Sequence, residues 1–153
     1  MKRLALMIGI AGCGKSTFVN DKLTKKYQVL CLDDMRLALG SAYDPKTEPV
    51  VYMVVDVQAR ALMERGLPIV VDSTCCQINI VKKWKKLAEE YGYDLVGVHI
   101  NTKFDICSKR RVDQIPSYVL IRMYNDLTEL LEVKDELFDK FITINDKGNK
   151  ING

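Results

Sequence analysis

The amino-acid sequence predicts an α/β fold, a parallel five-stranded sheet with helices on both faces, and three observations predict it. Strand-like and helix-like runs alternate along the 153 residues. The strand-like runs are apolar along most of their length, as strands covered on both faces must be, rather than at every second residue. Glycine or acidic residues stand at the ends of three of those runs, at Gly9, Asp33 and Asp72. These are the carboxyl ends, where open parallel sheets hold ligands.

Arg3 to Ile8 reads as the first strand, and a helix follows from about Lys15 to Lys26. Gln28 to Leu32 is the second strand, ending at Asp33-Asp34, with a short helix to Leu39. Gly40 to Glu48, holding Gly, Ser, Asp and Pro, is the clearest loop. Pro49 suits the first turn of a helix reaching Arg65, because the N–H it lacks would be unpaired there. Val50, Val54, Val57 and Ala61 have helical spacing and mark the apolar face of that helix. Gly66 closes it, and Pro68 to Asp72 is the third strand. Gln77 to Tyr91 is a helix stopped by Gly92, with Val81, Trp84, Ala88 and Tyr91 spaced to face the core. Tyr93 to Ile100 is the fourth strand, followed by a basic helical stretch over 103–112. A helix opened by Pro116 runs to about Val133, and Phe138 to Ile144 is the fifth strand. Asn145 to Gly153 is polar and expected to fray. One domain over 1–153 is expected, with a lid at about 103–114.

Composition excludes several classes. A chain of this length buries a full core and leaves no room for a second domain. With 28% charged residues and 48% hydrophobic ones, no apolar run nears the ~20 residues of a membrane span. Lys2 and Arg3 lead at once into the first strand, so a cleavable leader would remove the glycine-rich loop, and a cytoplasmic location is expected. A net charge of +3 is too small to imply nucleic-acid binding by bulk electrostatics. The lysines Lys82, Lys83, Lys85 and Lys86 around Trp84 read as a solvated helix face, with a phosphate-backbone contact as the alternative. Five cysteines (Cys13, Cys31, Cys75, Cys76, Cys107) without a C-x-x-C pair, and the single His99, point to reduced structural thiols rather than zinc. Cys13, beside a helix N-terminus, is expected to be open to alkylation.

Gly9-Ile10-Ala11-Gly12-Cys13-Gly14-Lys15-Ser16-Thr17 matches the P-loop pattern G-x-x-x-x-G-K-[ST] between a strand and a helix. Backbone N–H groups of such a loop curl around a β-phosphate, Lys15 reaches the β and γ oxygens, and the Ser16 hydroxyl takes a place on Mg²⁺. The helix N-terminus faces the anion. The fold class is thereby narrowed to a P-loop NTPase.

Three further features bear on chemistry. In Asp33-Asp34-Met35-Arg36, a carboxylate can accept a proton from an acceptor hydroxyl, and an arginine one helical turn on can clamp an acceptor phosphate. The alternative is an acidic helix start with a surface arginine. Ile69-Val70-Val71-Asp72-Ser73-Thr74 is an apolar strand ending in an acid, the way a carboxylate is offered to Mg²⁺ or its waters, though many buried strands end so. Lys109-Arg110-Arg111 is either a solvated charge run or a mobile lid whose arginines close over a triphosphate. Guanine-reading N-K-x-D is lacking, and motors and AAA-type ATPases need more chain. By elimination the site has a nucleoside-monophosphate-kinase shape with a short basic lid.

The chain resembles the kinase domain of phage-type 5′-polynucleotide kinases over nearly its whole length. The P-loop, Asp33-Asp34-Met35-Arg36, Asp72-Ser73-Thr74, Trp84 with Ala88 to Tyr93, and Ile115 to Leu120 with Arg122-Met123-Tyr124 carry the resemblance. It implies ATP-dependent, Mg²⁺-dependent phosphorylation of 5′-hydroxyl ends of DNA or RNA, a nucleic-acid repair type of reaction. By the same resemblance Asp33 is the general base, Arg36 holds the acceptor phosphate, and Ile115 and Val119 sandwich the terminal base, with Thr74 on the acceptor side. Cys75 stands where the family usually has Asn, and adjacent Arg110 and Arg111 replace a more widely spaced arginine pair. No D-x-D-G-T motif follows, so kinase without phosphatase activity is expected. The alternatives are a P-loop kinase of a small molecule or modified base, and a nucleotide-binding module with weakened catalysis.

Overall fold

The computed structural model describes residues 1–40 and 42–152. Ser41, within the expected loop, and Gly153, at the end of the expected fray, lie outside the described residues. The sheet is six-stranded: β1 (Arg3–Ile8), β2 (Gln28–Cys31), β3 (Ile69–Asp72), β4 (Asp94–Asn101), β5 (Lys140–Asn145) and β6 (Lys150–Asn152). Their order is β2-β3-β1-β4-β5-β6, with every neighbouring pair parallel except β5 and β6. The α/β class is as expected, and the strand count is corrected from five to six. The supposed frayed tail turns back at Asn145–Gly148 and adds β6 as an antiparallel edge. The Asn145 side-chain oxygen accepts the N–H groups of Lys147 at 3.0 Å and Asn149 at 2.8 Å, which closes that turn.

Central β1 is wholly apolar after Arg3, and Leu4 to Ile8 are all buried between β3 and β4. The helices are α1 (Lys15–Phe18), α2 (Leu32–Ala38), α3 (Glu48–Glu64), α4 (Ile78–Tyr91), α5 (Phe104–Arg111), α6 (Ser117–Glu132) and α7 (Lys134–Leu137). A π-helical turn, Val19–Leu23, continues α1, so the first helical segment stops short of Lys26. Pro49 lies in the first turn of α3, and Gly92 (φ 71°) closes α4 in the left-handed conformation that spares it a Cβ clash. Trp84 is buried with Val81, Leu87 and Ala88, while Lys82, Lys83 and Lys86 are exposed.

The apolar face expected on α3 is corrected. Val51, Val55, Ala59 and Met63 are buried, whereas Val50 and Val57 are exposed. Two adjacent stripes of this helix have helical spacing, and packing against the sheet selects the second.

Candidate functional site

Parallel pairing brings the carboxyl ends of β1, β2 and β3 to one rim of the sheet, with Cys31 level with Asp72. The glycine loop leaves β1 there. Gly12 has φ 84°, and a Cβ on it would come within 2.9 Å of Arg111 Cγ and 3.0 Å of the Cys107 carbonyl oxygen. A side chain there is barred twice, by backbone conformation and by α5 lying over the loop. A Cβ on Gly9 would meet Cys13 Sγ at 2.5 Å. Cys13 is buried, which corrects the expectation of a thiol open to alkylation; its sulfur is tucked against Gly9, with Lys15 Nζ at 3.6 Å.

Lys15 is buried, and its ammonium donates to the carbonyl oxygens of Gly9 and Ile10, both at 2.9 Å. The Ser16 hydroxyl donates to Asp72 Oδ2 at 2.8 Å. Burial pushes the Asp72 carboxyl above its ordinary range, and the Ser16 hydrogen bond and Lys15 charge oppose that shift. Cys75 follows this element with φ 42°, the left-handed region that Asn tolerates better than Cys. Burial pushes its thiol up to about 12 and that of Cys76 to about 11, so neither offers thiolate at neutral pH. Thr74 lies on the same rim, its carbonyl oxygen accepting from the Gly9 N–H at 3.4 Å.

Asp33 belongs to the first turn of α2 rather than to the end of a strand. β2 stops at Cys31, whose extended backbone begins the helix, and Asp33 and Asp34 then favour its positive N-terminal end. The Asp33 side chain is 83% exposed and accepts from Arg36 Nη1 at 2.7 Å. Arg36 is also gripped by Glu48 at the start of α3, through Nε at 3.0 and 3.1 Å and Nη2 at 2.6 Å. These two acids, Glu48 foremost, push the arginine pKa up and hold the cation charged. Sequence reasoning missed Glu48. Its only signal was an acid one residue ahead of the helix-starting proline, and its partner lies twelve residues away.

The basic segment closes over the loop. Thr102 Oγ1 donates to the Cys13 carbonyl at 2.7 Å, and Arg110 Nη1 donates to the Gly12 carbonyl at 2.9 Å. Arg111 instead bonds Gln114 at 2.7 Å, with its alkyl chain against Gly12. One cleft of about 1400 Å³ joins these parts: Gly14, Lys15, Ser16 and Thr17 line it with Asp33, Arg36, Asp72 and Thr74, as do Arg110, Arg111, Ile115 and Val119. The positions expected to act are thus brought to one space. The Asn145–Gly148 turn also lines it, a contribution hidden in a tail read as frayed.

No curated protein matches the sequence significantly. Among solved structures, one from the PezAT chromosomal toxin-antitoxin system of Streptococcus pneumoniae is 16% identical, with TM-score 0.77, over 99% of this chain and 72% of that one. A chain of the Pnkp1/Rnl/Hen1 RNA repair complex is 21% identical, with TM-score 0.70, over 98% of this chain. A chain of the AvrRxo1-ORF1:-ORF2 complex with ATP is 15% identical, with TM-score 0.70, over 99% of this chain. The present chain spans 48% and 57% of those last two, and at these identities the likeness establishes the fold. A family model described as AAA domain matches residues 4–117, from β1 through the lid to the start of α6. That corrects the exclusion of AAA-type proteins by length, because the matched core fits within 153 residues. With a kinase-like P-loop fold and a match over most of its length, this chain belongs to the AAA domain family.

Proposed function

We propose that this protein transfers the γ-phosphate of ATP to the 5′-hydroxyl of a polynucleotide. The observation that carries the reading is that one cleft is lined by Lys15 and Ser16 together with Asp33, Arg36, Ile115 and Val119. A hydroxyl that enters beside Asp33 meets a carboxylate that is open to solvent. Asp33 accepts its proton, the oxygen bonds to the γ-phosphorus, and ADP leaves with the electrons of the broken bridge bond. Lys15 and Arg110 stabilise the charge spread over the transferred oxygens, and α5 keeps water from competing as acceptor.

Arg36 keeps one N–H on each terminal nitrogen beyond its bonds to Glu48 and Asp33. These suit a phosphate 3′ to the reacting sugar, and Ile115 and Val119 offer a sequence-neutral apolar surface to the terminal base. The Ser16 hydroxyl and Asp72 carboxylate, 2.8 Å apart, form an oxygen-only pair of the kind Mg²⁺ takes. When bound there, Mg²⁺ neutralises charge on the β and γ oxygens.

The test is incubation with γ-labelled ATP and 5′-hydroxyl DNA, RNA and nucleosides in parallel. Label is expected on oligonucleotides, and Asp33→Asn lowers its rate by ~10²–10⁴ while ATP binding is retained. Labelling confined to nucleosides or other small hydroxyl compounds would overturn the polynucleotide assignment.

A further inference from the structure

The cleft holds two aromatic side chains that the reading above leaves unused. Tyr43 and Tyr52 both line it, and they remain 67% and 40% exposed. Tyr52 stands one helical turn beyond Glu48 on α3, hence on the same face, and Glu48 is the residue that grips Arg36. Tyr52 lies near Arg36, Glu48 and Tyr43. Both rings are partly open to solvent, and the Arg36 guanidinium keeps two uncommitted N–H groups. They match a ligand that carries an anion and a flat ring together.

We infer that Tyr43 and Tyr52 form a stacking platform for the second base of a single-stranded polynucleotide, whose preceding phosphate lies on Arg36. This rests on the polynucleotide reading and sharpens it: the acceptor is a strand at least two nucleotides long with unpaired bases at its end. Arg36 fixes the place. A phosphate there carries the first sugar toward Asp33 on one side and the second nucleotide toward the tyrosines on the other. Stacking accepts every base, because each has a π-face, so the platform adds affinity without sequence preference. A paired second base would have to leave its duplex first.

The experiment measures binding by fluorescence anisotropy, and initial rates in parallel, with a 5′-hydroxyl oligothymidylate and with the same strand carrying an abasic residue at its second position. Tyr43→Ala and Tyr52→Ala each weaken binding of the intact strand about tenfold, with kcat and the KM for ATP within about twofold. Tyr43→Phe and Tyr52→Phe restore binding, since stacking needs the ring and not the hydroxyl. The abasic strand binds the wild type about tenfold more weakly and binds the double alanine variant no worse than the intact strand. If the alanine variants bind the intact strand as the wild type does, or the abasic penalty survives in the double variant, the platform is wrong. Tyrosine-dependent binding without transfer upholds the platform and sinks the kinase reading; transfer with an oligonucleotide KM unchanged by loss of both tyrosines does the reverse. No binding of either strand sinks both. Thermal unfolding of each variant near the wild-type midpoint keeps a folding defect from imitating the result.

Discussion

Glu48 shows how one residue far from the glycine loop can govern the site. Its two oxygens hold Nε and Nη2 of Arg36, and Asp33 holds Nη1, so the guanidinium plane is fixed before any acceptor arrives. Glu48→Ala frees that plane, and the reading proposed above then requires acceptor KM to rise about tenfold while ATP affinity is unchanged, as steady-state kinetics in each substrate will report. Gly12 is constrained in the opposite way, by space. Gly12→Val puts a branched side chain into the Cys107 carbonyl and the Arg111 stem at a positive φ. ATP binding measured by calorimetry should be lost with the fold retained, because α5 must lift away from the loop. The glycines and lysine of the motif were legible because each has a fixed geometric duty in the motif; Glu48 was not, since a carboxylate before a proline reads equally as a helix start.

At the scale of elements, β4 and β5 meet closely where Gly97 leaves room. A Cβ on Gly97 would lie 2.5 Å from the Phe141 ring, which itself packs edge-on against Phe138 at 5.3 Å. Gly97→Ala should therefore destabilise the protein by about 1–3 kcal/mol, read as a lowered urea midpoint with unchanged slope. Strand positions were legible because buried parallel strands are apolar throughout, and α4 because its polar and apolar residues separate cleanly around Trp84. α3 was not. Its paired valines at 50–51 and 54–55 give two helical stripes of equal spacing, and only the neighbouring sheet decides which one is covered. β6 escaped for another reason: Lys150, Ile151 and Asn152 have no strand pattern of their own and are ordered by pairing with β5.

For the molecule as a whole, acid stability should depend on His99. It is 5% exposed within β4, its ring tilted against Phe141, and burial pushes its pKa down to about 4 from an ordinary 6.5. The unfolded chain then takes up a proton that the native one refuses, so stability falls as pH drops from 6.5 toward 4, by at most roughly 3 kcal/mol. Asp72, whose carboxyl burial raises, acts in the opposite sense from its ordinary 3.8 upward. His99→Gln should thus flatten the decline in urea midpoint between pH 6.5 and 4.5 and leave the behaviour at lower pH in place. Among the described residues no helix is long and apolar enough to cross a membrane. The two margins of the sheet carry a last implication. One ends in four-residue β2, and the other in three-residue β6, beside a register shift at Thr143/Ile144 and bearing Lys150. Neither presents a long, flat row of free peptide groups on which a neighbouring molecule could continue the ladder, so concentrated solutions should resist fibrillar self-association.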